Sequence, residues 1–412
     1  MTSSVTGRNI VQRSVLWLVV ILAAAPVRGA ALAPSWLGAW QASPMAQVGQ
    51  LKPLKNQTVR QRFKVSVAGS QLRVVFSNAY GSKPLHIGAA TVLRTRNGQA
   101  EGAALPLTFA GAPSIVVPAG APAFSDPLPL AVAAGTELSV SLYLPDETLP
   151  ETYHRALAGQ DQAAAAAAPE AQVSAEGDYT RDAVMAGAQA GARLFVARVD
   201  VLPAKRGSTV VVLGTTRTAG EGRWPELLAQ RLQSAGRNVS VVNASMVANP
   251  LTRPFPGGGE AGLARFDRDV LSVPGITHVI LADAANDIGQ PGGAVIDAAQ
   301  MPTLQHLTAA YLQLTTRARA VGVKVIAATV MPFEGVPFAG FWSPQKEQLR
   351  GQLNDWIRSS GAFDAVIDMD ALVRDPANPT HYREGLHTAN NFAPNEAGEQ
   401  QLVQALDLKL FR

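Results

Sequence analysis

The chain of 412 residues contains no cysteine, which excludes disulfide staples and thiolate metal sites outright. Charged residues make up only 16% and the formal net charge is +4, with no Lys/Arg cluster interleaved with aromatics, so the composition does not fit a nucleic-acid partner. Long apolar runs are missing too, apart from one near the start. "VLWLVVILAAA", Val15 to Ala25, follows Arg8 and Arg13 and falls short of the roughly 20 residues that a membrane span needs. Small residues around Val27, Gly29 and Ala31 complete the pattern of a cleavable signal peptide over residues 1–30. The sequence therefore predicts an exported protein, periplasmic or secreted, with no transmembrane segment after cleavage. An uncleaved anchor is the alternative. Without disulfides such a chain must be held by its core, and 47% hydrophobic residues at this length permit one.

The pattern of what is present changes near residue 205. In "TVRQRFKVSV", Val59, Phe63, Val65 and Val67 fall on one face and Arg60, Arg62, Lys64 and Ser66 on the other. "ELSVSLYLP" alternates likewise through Leu138, Val140, Leu142 and Leu144, and "LRVVFSN" and "RLFVARVDV" add strand-like runs between turn-rich stretches. Residues 35–203 thus read as an all-β sandwich. An alanine-rich excursion, Gly159 to Asp178, interrupts it as a short helix or a loop. After "LPAKRGS", short apolar runs at 209–213, 239–243, 277–282, 324–329 and 365–368 alternate with helical patterns. Strands that are apolar on both faces and separated by helices predict a parallel sheet covered on both sides, so residues 207–412 read as a flavodoxin-like, three-layer α/β domain. Ligands in such folds bind beyond the carboxyl ends of the strands.

Those strand ends lack the residues that catalysis usually needs. "TVVVLGTTRTAGEGRWPELLAQRL" passes from strand to helix through Gly214, Thr215, Thr216 and Arg217, with no serine or acid in the turn. "VVNASMVANPL" follows the second strand, "LADAANDIG" the third, and "TANNFAPNEAGEQQL" lies near the C-terminus. Taken together, these blocks resemble the SGNH, or GDSL, hydrolase family of esterases and lipases, in a two-domain bacterial form with an N-terminal β-sandwich. The family carries Gly-Asp-Ser, a glycine, Gly-x-Asn-Asp and Asp-x-x-His in the four blocks. The resemblance puts Thr216 at the nucleophile, Asn390 at the acid and Ala393 at the base. It puts Ala248 and Asn286 at the oxyanion-binding positions, with Ala284 at the glycine of the third block and Asp287 retained.

Alanine accepts no proton, and asparagine does not stabilise an imidazolium as a carboxylate does. Without a base a hydroxyl stays protonated and weakly nucleophilic at neutral pH, and the extra methyl of Thr216 crowds its attack. An alanine amide still donates as a glycine amide does, unless the position requires a positive φ. "REGLHT" offers His387, with Glu384 three residues earlier, as an alternative base, although a loop histidine held by hydrogen bonds is the simpler reading.

The remaining candidates have plain structural readings. Asp267, Asp283 and Asp287 are scattered carboxylates without a histidine cluster, so no metal and no cofactor are expected. "PGGGE", Pro256 to Glu260, reads as a turn rather than a phosphate loop, and Trp36 and Trp40 as packing rather than a sugar platform. Arg217 reads as solvent-facing or as a positive charge at the pocket mouth. The leading reading is an exported esterase homologue, catalytically impaired, that keeps a cleft for an ester, glycan or lipid. Two alternatives stay open: an active carboxylic-ester hydrolase using Thr216 and His387, and a carbohydrate-binding or adhesion protein acting through the β-sandwich.

Overall fold

The computed structural model describes residues 1–2, 35–155, 171–220, 222–282 and 284–411. The predicted signal peptide lies outside them save for its first two residues, as do Asp283 and positions 159–170 of the alanine-rich excursion. Positions 171–176 of that excursion form a strand rather than a helix. Pro34–Arg412 make one compact unit, and no helix among the described residues is long and apolar enough to cross a membrane.

The N-terminal part is β-rich. Strands β1 (Leu37–Gln41), β2 (Gln57–Lys64), β3 (Gln71–Ser77), β4 (Ala89–Arg96), β5 (Pro122–Phe124), β6 (Glu137–Leu144), β7 (Ala171–Glu176), β8 (Gly187–Gln189) and β9 (Val196–Leu202) pair antiparallel. They form one sheet in the order β1-β9-β3-β5 and another that runs β8-β7-β2-β6-β4. The expected inward residues Val59, Phe63, Leu138, Val140 and Leu142 meet Val74, Phe76, Val199 and Val201 in a single core.

Two departures from the period-two pattern have local causes. Gln61, on the apolar face of β2, is fully buried, because its amide closes two bonds with Leu194, donating to the carbonyl over 2.5 Å and accepting from the amide over 3.0 Å. Arg60, on the opposite face, is buried as well: it donates to the Ser141 hydroxyl and to the carbonyls of Tyr179 and Asp182, which cover that face. The run "RLFVARVDV" also splits, since Phe195 takes φ 61° between Ala192–Leu194 and β9.

The second half carries the parallel sheet. Strands β10 (Ser208–Leu213), β11 (Val239–Asn243), β12 (Ile276–Leu281), β13 (Lys324–Ala328) and β14 (Ala365–Ile367) run in the order β11-β10-β12-β13-β14, all parallel. Their sequences are largely apolar because alternate residues enter different cores. Val211, Leu213, Val279 and Val325 pack with Leu307 and Tyr311 of α4 (Leu304–Ala320) and Leu353 of α5 (Pro344–Ser359). Val210, Val212, Ile280 and Ile326 pack with Trp224 and Leu228 of α1 (Trp224–Ser234) and Leu402 of α7 (Glu396–Ala405). Thr303, Ser343 and Asn395 cap α4, α5 and α7 through side-chain oxygens, as their residue types favour. The helical pattern at "GLARFDRDVLS" resolves into a short α2 (Gly262–Phe266) and a wider π turn, Asp267–Leu271.

β1 seats the β-rich part against the edge strand β11. The Ser240 hydroxyl donates to the Gly38 carbonyl and lies 2.7 Å from the Ser66 hydroxyl, while Gln41 reaches the carbonyl of Asp269 over 2.7 Å. Glycine is required at residue 38, since a Cβ there would stand 2.6 Å from Val273.

Candidate functional site

Strand order reverses about β10, with β11 on one side and β12 on the other, which creates a switch point at the carboxyl ends of these strands, where such sheets hold ligands. Gly214 follows β10, and a Cβ there would come within 2.8 Å of the Thr218 hydroxyl and 2.9 Å of the Ser245 hydroxyl. The chain then turns tightly, with the amides of Thr218 and Ala219 both donating to the carbonyl of Thr215. Asn243 at the end of β11 locks the two loops together, donating to the Thr218 carbonyl over 2.7 Å and accepting from the Ser245 amide.

Thr216 is half-buried, and its hydroxyl accepts the amide of Ala248 over 2.7 Å. The structure thus brings Thr216 and Ala248, which the resemblance puts at the nucleophile and an oxyanion donor, into direct contact. Ala248 has φ 58°, a left-handed backbone that glycine adopts without penalty and alanine does not, so the glycine of the family's second block had a conformational reason to be there. Asn286, buried in the short helix α3 (Ala285–Gly289), directs its amide at the carbonyl of Asn249 over 3.5 Å, and Gln290 donates to the carbonyl of Ala248 over 2.9 Å. Asp287 serves the scaffold. Fully buried, it accepts the amides of Leu251 and Thr252 at 2.6 and 2.8 Å and the Thr252 hydroxyl at 2.5 Å, while burial pushes its carboxyl above the ordinary aspartate range. Arg253 braces the same helix through the carbonyls of Asn286 and Asp287.

The fourth block meets the first. Arg223 donates to the carbonyl of Pro394 over 3.2 Å, and the Arg217 guanidinium stands 5.0 Å from the Phe392 ring, so the residues on either side of Ala393 both touch the segment that carries Thr216. Ala393 itself is buried, and among the described hydrogen bonds its backbone meets Thr388 alone. Asn390 is exposed and closes a local turn, its Oδ1 accepting the Thr388 hydroxyl at 2.5 Å and the Phe392 amide at 3.2 Å. His387 donates through Nδ1 to the carbonyl of Thr388 over 2.8 Å. That bond leaves Nε2 as the acceptor of the neutral ring. Among the described hydrogen bonds none joins His387 to Thr216, nor to Glu384, which is exposed.

Arg217 corrects the sequence reading. It is fully buried rather than solvent-facing or at the pocket mouth, donating to the Met331 carbonyl over 2.8 Å with Phe333 and Phe392 about its guanidinium. The cavity that touches Gly214 and Thr215 measures about 20 Å³, too small for a ligand.

Sequence reasoning also missed the polar network behind this loop. Buried Arg265 binds Asn249 Oδ1 through two nitrogens and pairs with Asp269 at 3.1 Å, an i,i+4 spacing visible in "RFDRD". Burial works against the Arg265 charge and Asp269 supports it. Arg268 extends the network to Asp269, Glu260 and the Tyr80 hydroxyl of the β-rich part. "PGGGE" therefore ends in an anchor, not a phosphate loop. Trp36 and Trp40 both pack against neighbouring side chains. Arg73 lies over Trp36 at 4.6 Å, while Trp40 has Phe63 stacked at 4.3 Å and Arg193 over it at 5.0 Å.

Residues 202–401 match the model of the GDSL-like Lipase/Acylhydrolase family. No curated protein matches the chain. Among solved structures, the chain is similar to the acetylxylan esterase Axe2 from Geobacillus stearothermophilus, at 16% identity and a TM-score of 0.37, over 48% of this chain and 93% of that one. It is similar also to the psychrotrophic esterase EstA from Pseudoalteromonas sp., at 14% identity and a TM-score of 0.34, with 48% and 93% covered. The match over the segment that holds all four blocks makes residues 202–401 a domain of the GDSL-like lipase/acylhydrolase family.

Proposed function

We propose that the protein is an exported, catalytically impaired member of this esterase family, with a signal peptide at 1–30, a β-sandwich at 35–203 and a three-layer hydrolase-type domain at 207–412. The observation that carries the reading is the pairing of Thr216 with Ala248 on one side and the absence of a proton acceptor at Ala393 on the other. Among the described hydrogen bonds Thr216 Oγ1 meets an oxyanion-type donor but no base, so the hydroxyl stays protonated and no attack generates an oxyanion for the donor to stabilise. The family suggests an ester-type small molecule as the ligand, which would take the Ala248 and Asn286 donors from the Thr216 hydroxyl and the Asn249 carbonyl that they now meet.

The test is hydrolysis of short-chain aryl esters by the purified protein beside its Thr216→Ala variant. Equal rates are expected. A rate that depends on Thr216 overturns the proposal and restores the active-esterase alternative, in which case His387→Ala would abolish it.

A further inference from the structure

A trench of about 450 Å³ runs between α1 and the β-rich part, within the size range of small-molecule sites and far larger than the space beside Thr215. Its walls come from segments distant in sequence: the ends of β1 and β2, the turn at Gly135, one stripe of α1, and the edge strand β11. Its floor is apolar, with Val65, Val242, Pro225 and Ala229 contributing methyl and methylene surface.

The polar groups on the trench walls determine what fits. Lys64 and Gln230 make no hydrogen bond among those described, and both are exposed. Gln233 spends its Nε2 on the Val239 carbonyl, which leaves its oxygen, and Glu226 spends one carboxylate oxygen on the Gly222 amide, which leaves the other. Donors and acceptors thus both stand on the walls. Hydroxyl groups suit such a rim because each both donates and accepts. A carboxylate ligand would meet Glu226, and a cation would meet Lys64. A long acyl chain would make no use of the amides. Trp40 contributes only its edge, its faces being covered by Phe63 and Arg193, so recognition here rests on hydrogen bonds over an aliphatic floor.

We propose that this trench binds a neutral, polyhydroxylated small molecule of one or two sugar rings, using Lys64, Glu226, Gln230 and Gln233. The site is separate from the esterase-type strand ends and does not depend on how Thr216 behaves. The experiment is calorimetric titration of the full-length protein with cellobiose, maltose and N-acetylglucosamine, with glucuronate and octanoate as the charged and acyl probes. At least one neutral saccharide is expected to bind with a millimolar or lower Kd. The double variant Gln230→Ala/Gln233→Ala should weaken it by about tenfold or more, and Ala229→Phe, which fills the floor, should abolish it. Circular dichroism confirms folding, and the glutamine double variant provides the test if Ala229→Phe does not fold. The proposal is overturned if no neutral saccharide binds up to about 50 mM, if binding survives the double variant unchanged, or if only octanoate or glucuronate binds.

Discussion

The amide of Ala248 donates to the hydroxyl of Thr216 over 2.7 Å, joining the loops that follow the first two strands of the parallel sheet. This bond is structural while no ester is present, because it satisfies a donor held in place by the left-handed backbone at Ala248. Thr216→Val keeps the shape of the side chain and removes the acceptor. Its unfolding free energy should fall by about 1 kcal/mol, whereas Thr216→Ser should retain most of it. Chemical denaturation of both variants checks this, and a loss in Thr216→Ser with none in Thr216→Val would assign the effect to methyl packing instead.

Much of this site was legible because its anchors survived substitution. Gly214, Asn286, Asp287 and the Pro394-Asn395 pair keep the spacing of the four blocks. Their structural roles explain why: Gly214 permits a close approach of neighbouring side chains, Asp287 supports a loop, and Asn395 caps a helix. The parallel strands were legible for a different reason. Both faces of β10, β12 and β13 are buried, so the runs are largely apolar and mark these strands without alternation. Arg217 and Gln61 were not legible, because a polar side chain reads as surface until its partners are known. Those partners, Met331 and Phe392 for one and Leu194 for the other, lie far along the chain. The trench was invisible for the same reason, since its walls meet only after both halves of the chain have folded.

Glu399 predicts a pH dependence. Its buried carboxylate caps α1 through the Trp224 amide at 2.7 Å and pairs with Arg223 at 3.1 Å, yet burial dominates and pushes its pKa up to about 7. A carboxyl whose folded pKa exceeds its unfolded value contributes most stability below the unfolded value, near 4.5, and loses that contribution as pH rises through about 7. Glu399→Gln keeps an acceptor for Trp224 and removes the titration. Denaturation midpoints measured from pH 4.5 to pH 8 should therefore fall more steeply for the wild type than for the variant, by an amount on the order of 2–3 kcal/mol across the window. Parallel curves would show that the pKa is not raised.

Asp287 predicts a stability loss at a position that the family resemblance marks only as retained. One carboxylate satisfies two backbone amides and a hydroxyl in a fully buried setting. Asp287→Ala would leave the amides of Leu251 and Thr252 buried without acceptors, at a cost of about 2–4 kcal/mol. Asp287→Asn should recover only part of this, since its NH₂ group would oppose one of the amide donors. Hydrogen exchange at Leu251 and Thr252 localises the effect. Unchanged protection there in Asp287→Ala would mean that the loop is held by other contacts.

Repair of the triad tests the alignment itself. A nucleophile without a base and a base without a nucleophile are each nearly useless, so the gains should be strongly non-additive. Thr216→Ser alone, or Ala393→His alone, should leave aryl-ester hydrolysis at background. Thr216→Ser combined with Asn390→Asp and Ala393→His should raise it by about 10², well below the roughly 10⁶ that a working triad is worth. Part of the shortfall has a named source. Arg217 is fixed between Phe333 and Phe392, beside residue 393, and its charge would depress the pKa of a histidine placed there. Adding Arg217→Leu should therefore raise the rate again by about tenfold and move the acid limb of the pH–rate profile upward, as expected when a like charge near a base is removed. The left-handed backbone at Ala248 suggests a fifth change, Ala248→Gly, which relaxes the oxyanion donor without altering its identity. All variants are compared at one pH after circular dichroism has confirmed folding. If the folded quadruple variant stays as silent as the wild type, residue 393 does not stand at the base position.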